Sequence, residues 1–132
     1  MTATMICFDG TGPVEDNLYY DEMTKGYDNT NNRCTNNKSF VRRICDLWAD
    51  PKTSKYIPGP GGALEMQRSV LTGLNDAKDF FNSDASFSDG PIFAVGYSRG
   101  GLTAIQYANW LSSQKIAVEA LFLFDAVARD VT

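Results

Sequence analysis

The chain has 132 residues, of which 43% are hydrophobic and 21% charged, the size and balance of one globular domain, 1–132, with a core of its own. Its net charge of −4 argues against nucleic acid as a partner, because phosphate backbones are held by clustered Lys and Arg. No apolar run approaches the roughly 20 residues of a membrane-spanning helix, and Met5–Phe8 is too short, and has no basic residue before it, for a secretion signal. No transmembrane segment is expected, and the expected location is the cytoplasm as synthesised, with export left to routes that use no such signal.

Cys7, Cys34 and Cys45 are odd in number and lack C-x-x-C spacing, a pattern that fits reduced thiols better than a disulfide framework or a zinc site. No cofactor and no metal site is expected, weak calcium binding by scattered aspartates aside. The count of histidines is zero. Serine hydrolases use an imidazole to take the proton from the serine hydroxyl, so this chain cannot itself supply that base.

In chain order, Thr4–Phe8 reads as a short buried strand running into the turn Asp9-Gly10-Thr11-Gly12-Pro13. From about Glu15 to Lys38 the sequence is polar and rich in Asn, with no period, and a long loop is expected there. Ser39 caps a predicted helix with apolar Phe40, Val41, Ile44, Cys45, Leu47 and Trp48, stopped by Asp50-Pro51. Lys55-Tyr56-Ile57 is a second strand entering the flexible run Pro58–Gly62. Leu64–Phe81 repeats apolar residues at helical spacing through Met66, Val70, Leu71, Leu74, Ala77 and Phe81, and Asn82–Asp89 is a polar connector. Pro91–Val95 has the continuous apolar character of a central parallel strand, and Leu102–Leu111 is a helix packing through Leu102, Ile105, Ala108 and Trp110. Ala117–Phe124 is a last strand, ending at Asp125.

Strands alternating with helices predict an α/β fold, an open and mostly parallel sheet with helices on both faces. Ligands in such sheets bind beyond the carboxyl ends of the strands, and Asp9, the Gly/Pro loop, Ser98 and Asp125 all fall there.

Gly96-Tyr97-Ser98-Arg99-Gly100, between an apolar strand and an amphipathic helix, has the form of a nucleophile elbow. The serine sits on a sharp turn, and glycines two residues to either side let strand and helix approach. Ser98 is the candidate nucleophile. The Arg99 N–H opens the helix and can donate to an oxyanion, aided by the helix dipole. Gly10, Thr11 and Gly12 are candidates for the second donor, because glycines let backbone N–H groups turn toward a bound oxygen. The competing reading is a plain glycine turn in which Asp9 caps local N–H groups. Asp9 and Tyr97 are also candidates for contact with substrate.

Asp125 fits two roles: the carboxylate that orients an imidazole supplied from elsewhere, or a structural cap of the turn that follows, with Asp130 a weaker substitute. Arg99 serves either as a loop brace or as an anion ligand. Tyr19, Tyr20 and Tyr27 either line an acyl site or pin their loop. Asn37-Lys38-Ser39 matches a glycosylation sequon, but with no secretion signal it is read as accidental.

The Asp9-Gly10-Thr11 start is similar to the Asp-x-Asp-Gly-Thr motif of the haloacid dehalogenase-like phosphatases, but Cys7 stands where that family has its nucleophilic aspartate. A wider set of motifs points elsewhere. Phe8-Asp9-Gly10-Thr11-Gly12, the Asn-rich loop leading into a helix, Tyr56–Gly61, Gly96–Gly101 and Phe124-Asp125-Ala126-Val127, in that order over nearly the whole chain, resemble the α/β-hydrolase family that includes the phospholipase effectors of bacterial type VI secretion. The resemblance implies a serine enzyme that cleaves carboxylic esters of lipids or phospholipids, with Ser98 as nucleophile and Asp125 as acid.

In that family the histidine follows the last strands of the sheet, so the resemblance also implies that this chain is an N-terminal part, from a longer protein, a split gene or a decayed copy. A sheet cut there exposes an apolar edge after Ala117–Phe124, and pairing with a missing C-terminal part or with another chain is expected. The alternative function is a catalytically inactive hydrolase-fold binding or interaction module.

Overall fold

Strand β1 (Thr4–Phe8) is buried at all five positions, and the two-residue alternation of its side chains divides the core in two. Ile6 and Phe8 pack on one face of the sheet with Ile57, Leu74, Phe81 and Tyr107. Met5 and Cys7 pack on the other with Val41, Cys45 and Val95. The structure, a computed structural model, describes residues 2–10, 39–59 and 69–126.

Along those residues β1 is followed by α1 (Phe40–Asp46), β2 (Ser54–Ile57), α2 (Val70–Asn82), β3 (Ile92–Tyr97), α3 (Arg99–Ser113) and β4 (Ala120–Phe124), with 3-10 turns at Pro51–Thr53 and Ala85–Asp89. The strands lie in the order β2-β1-β3-β4, and every pairing is parallel. The fold is therefore α/β, an open parallel sheet with α1 on one face and α2 and α3 on the other. β1 and β3 are the inner strands, which accounts for their near-continuous apolar sequence.

The helices start where their sequences provide caps. Ser39 Oγ accepts from the Arg42 N–H at the head of α1. Ser69 and Thr72 form a reciprocal capping box at the head of α2, an arrangement worth about 1 kcal/mol. Among the described residues no helix is long and apolar enough to cross a membrane.

Several expectations are corrected. Leu47 is 83% exposed because it is the C-cap of α1, one residue beyond the helix. Leu71 is 59% exposed; it lies in the first turn of α2, whose buried stripe is Val70, Gly73, Leu74, Ala77 and Phe81. The buried face of α3 is not Leu102, Ile105 and Ala108 but Gly100, Thr103, Ala104, Tyr107 and Leu111. The tight entry from β3 brings the small residues of its first turns against the sheet. The polar connector 82–89 hides one core residue, Phe87, whose ring lies 5.0 Å from that of Phe80.

Among the described residues β4 is an edge strand, and three successive residues of it, Phe122, Leu123 and Phe124, are exposed. Successive side chains point to opposite faces, so both faces of this edge are apolar and open. The Asn-rich stretch 15–38, the Gly/Pro run past Gly59, the first residues of the long helical pattern and Asp130 lie outside the described residues.

Candidate active site

β3 ends at Tyr97 and α3 begins at Arg99, so one residue makes the whole turn between strand and helix. That residue is Ser98, with φ 56° and ψ −126°, a conformation that costs an L-residue on the order of 1–3 kcal/mol. Two backbone hydrogen bonds hold it there: Ser98 N–H donates to the Phe124 carbonyl at 3.0 Å, and Gly101 N–H donates to the Ser98 carbonyl at 2.8 Å.

Close contact with the sheet explains the flanking glycines. A Cβ on Gly96 would stand 2.8 Å from the Gly100 carbonyl oxygen and from Gly101 Cα, and a Cβ on Gly100 would stand 2.2 Å from the carbonyl oxygen of Asp9 and 2.4 Å from that of Phe8. These neighbours are backbone and cannot swing aside. Only glycine fits at either position, and the first turn of α3 rests directly on the ends of β1 and β3.

Ser98 occupies the N-cap position of α3, yet its side chain makes no capping hydrogen bond. A serine at an ordinary N-cap spends its oxygen on the N2 or N3 N–H; here the backbone twist leaves the hydroxyl uncommitted to the helix. The first N–H groups of a helix have no intrahelical acceptor, and the dipole makes this end positive, so the Arg99 N–H opens the helix where an anion is favoured.

The end of β1 touches this turn. A Cβ on Gly10 would lie 3.0 Å from Ser98 Cβ and 2.8 Å from Tyr97 Cδ2, so Gly10 and Ser98 are direct neighbours. Thr11 and Gly12 lie outside the described residues. Asp125 directly follows Phe124, whose carbonyl receives the Ser98 N–H; it is exposed and has φ 49°, a left-handed conformation that Asp tolerates better than most residues. The half-buried Tyr97 meets the Phe40 ring edge-on at 5.0 Å, and Phe40 meets Phe124 at 5.5 Å. These rings tie α1, β3 and β4 together beside the serine. Phe40 and Phe124 were legible only as apolar positions of their own elements; their joint wall depends on the sheet order.

Asp9 has a different environment. It is 2% exposed, and its carboxylate accepts the Gly10 N–H at 2.8 Å on Oδ1 and the hydroxyls of Ser39 and Tyr56, both at 2.5 Å, on Oδ2. Tyr56 is in turn covered by the Arg42 guanidinium, 4.8 Å from its ring centre. The carboxylate thus binds the end of β1 to the head of α1 and to β2. Sequence reasoning missed Ser39 and Tyr56 as its partners, and the only signal was two hydroxyl residues at element ends.

Comparison with family models, with curated proteins and with solved structures found no match for this chain.

Proposed function

We propose that this chain carries the nucleophile of a serine hydrolase of α/β-hydrolase type, acting on carboxylic esters, with lipid or phospholipid esters as the substrate class. The observation that carries this reading is the backbone of Ser98, held at φ 56° and ψ −126° between a parallel strand and a helix by glycines that no other residue could replace. Strain of this kind persists only where the surroundings over-determine it, and such residues cluster at functional sites.

In this reading Ser98 Oγ attacks the ester carbonyl, and the oxyanion receives the Arg99 N–H and an N–H from the end of β1, where Gly10 abuts the serine. The aromatic wall of Phe40, Tyr97 and Phe124 gives an acyl chain an apolar surface. Asp9, buried and engaged by three donors, positions the β1 end and does not meet substrate. Asp125, at the end of β4, is the acid that orients an imidazole. With no histidine among the 132 residues, that imidazole comes from outside them.

The absence of histidine also favours a second reading, an inactive module that keeps the scaffold and binds without cleaving. The deciding experiment is labelling of the folded chain with a fluorophosphonate, with Ser98→Ala beside it, in the presence and absence of added imidazole. An adduct at Ser98 that imidazole accelerates supports the hydrolase. A folded protein that gives no adduct under either condition leaves the binding module.

A further inference from the structure

The face of the sheet that carries α1 holds a pair of thiols, separate from Ser98. Cys7 of β1 and Cys45 of α1 are both buried and both free, packed among Met5, Val41 and Val95. Both side chains belong to that one cluster between β1 and α1, and the strongest influence on the proton affinity of each thiol is the other. The pair is asymmetric: Cys7 is fully enclosed, whereas Cys45 forms part of the wall of a shallow surface cavity of about 250 Å³ together with Arg42, Asp46, Ser54 and Lys55.

We infer that Cys45 and Cys7 form a peroxide-reactive thiol pair, in which Cys45 is oxidised from the cavity and Cys7 closes a reversible disulfide between α1 and β1. The inference does not depend on Ser98 being catalytic.

The surroundings favour the charge separation this needs. The neighbouring Cys7 thiol and the Ser54 hydroxyl, with the Arg42 guanidinium nearby, lower the Cys45 thiol from its ordinary value, against the opposing effects of burial and of Asp46. Cys7 is pushed far up by the Cys45 thiol beside it, by burial and by the nearby charges of Asp9 and Asp46, so it stays protonated. A thiol of lowered pKa on the accessible side of one held fully enclosed is the arrangement of an attacking and a resolving cysteine.

The chemistry balances with hydrogen peroxide as the oxidant. The Cys45 sulfur attacks one peroxide oxygen, the O–O bond breaks, and the departing hydroxide leaves as water, giving a sulfenic acid. The Cys7 sulfur then attacks the Cys45 sulfur, and the sulfenic oxygen leaves as a second water, taking up the proton that Cys7 gives up. Two thiols lose two electrons and two protons in all, and one peroxide becomes two waters. The product would clamp α1 to β1 two residues before Asp9, whose carboxylate already joins the same two elements through Ser39.

The test uses the full chain with Cys34→Ser, so that only these two thiols remain. Folded protein, verified by circular dichroism, is treated with hydrogen peroxide and followed by intact mass and non-reducing peptide mapping. The expected result is a loss of two hydrogens per chain, a linked Cys7–Cys45 peptide pair, reversal by dithiothreitol, and a rate roughly ten-fold above that of the same protein in urea. Adding Cys7→Ala should leave a sulfenic acid at Cys45 that dimedone traps, while adding Cys45→Ala should leave Cys7 unreactive. Oxidation of either cysteine without a cross-link, or a rate in the folded state no higher than in urea, overturns the inference. The Cys34→Ser protein alone decides the matter if a double variant does not fold.

Discussion

The strain at Ser98 can be measured by removing it. Ser98→Gly and Ser98→Ala both delete the hydroxyl, and since that hydroxyl makes no cap to α3, neither loses a helix-capping hydrogen bond. They differ in what a Cβ costs at φ 56° and ψ −126°. Alanine retains the penalty, on the order of 1–3 kcal/mol; glycine escapes it but gives back about 0.5–1 kcal/mol of unfolded-chain entropy. The net expectation is that Ser98→Gly is more stable than Ser98→Ala by about 1 kcal/mol, and that Ser98→Ala stays within about 0.5 kcal/mol of the parent. For a chain of this length the first difference corresponds to roughly 3–5 °C in Tm. Urea unfolding gives the same quantity as a shift in midpoint at constant slope. A glycine variant no more stable than the alanine variant would mean that the turn is relaxed in the folded protein. Strain at Ser98 would then give no ground for assigning it a function, whatever the labelling showed.

Gly100→Ala should lower stability by about 3 kcal/mol, measured by the same unfolding, because its Cβ meets the Asp9 and Phe8 carbonyls and overpacking against backbone has little relief; elsewhere in a helix the same change would stabilise by up to about 1 kcal/mol. Asp9→Asn should cost about 2 kcal/mol in urea unfolding, since whichever way the amide is turned its NH₂ faces at least one of the three donors that the carboxylate now satisfies. Tyr107→Phe should raise the midpoint by about 1 kcal/mol equivalent, because the hydroxyl is buried with no hydrogen-bond partner among the described residues and its desolvation is uncompensated.

What was legible in the sequence was local. Thr4–Phe8 was readable as a strand because an inner parallel strand must be apolar throughout, and the start of α1 was readable because Ser39 is a cap that satisfies its own helix. The strand–Ser98–helix turn was readable for the same reason: its two glycines lie within two residues of the serine they flank. Contacts between distant segments were not. The bonds from Asp9 to Ser39 and to Tyr56 join residues 30 and 47 positions apart, and no spacing rule links an aspartate at a strand end to a hydroxyl on the neighbouring strand. Tyr107 was passed over because a residue with a polar tip reads as a surface or boundary position; in the fold it lies against Phe8, with ring centres 5.6 Å apart. Periodicity placed α3 at Leu102–Leu111, inside the observed Arg99–Ser113, and misplaced its face, since the direction in which a helix faces is set by how it leaves the turn before it.

The alternation of β1 connects these observations. Cys7 and Asp9 face α1 and Phe8 faces α3, while Gly10, past the end of the strand, abuts Tyr97 and Ser98, so one strand end borders both proposed sites. The backbone can carry an effect from one side to the other, because the Asp9 carbonyl against which Gly100 rests belongs to the residue whose carboxylate Ser39 and Tyr56 fix. A change on the α1 face, whether loss of the Asp9 carboxylate or closure of Cys7 onto Cys45, therefore reaches Ser98 by moving that peptide, or through Phe40 of α1, whose ring meets those of Tyr97 and Phe124 beside the serine. Packed interiors yield little to small displacements, so the Asp9 network acts on the serine by holding its support still. That is why a buried carboxylate with no exposed edge belongs to the description of the site.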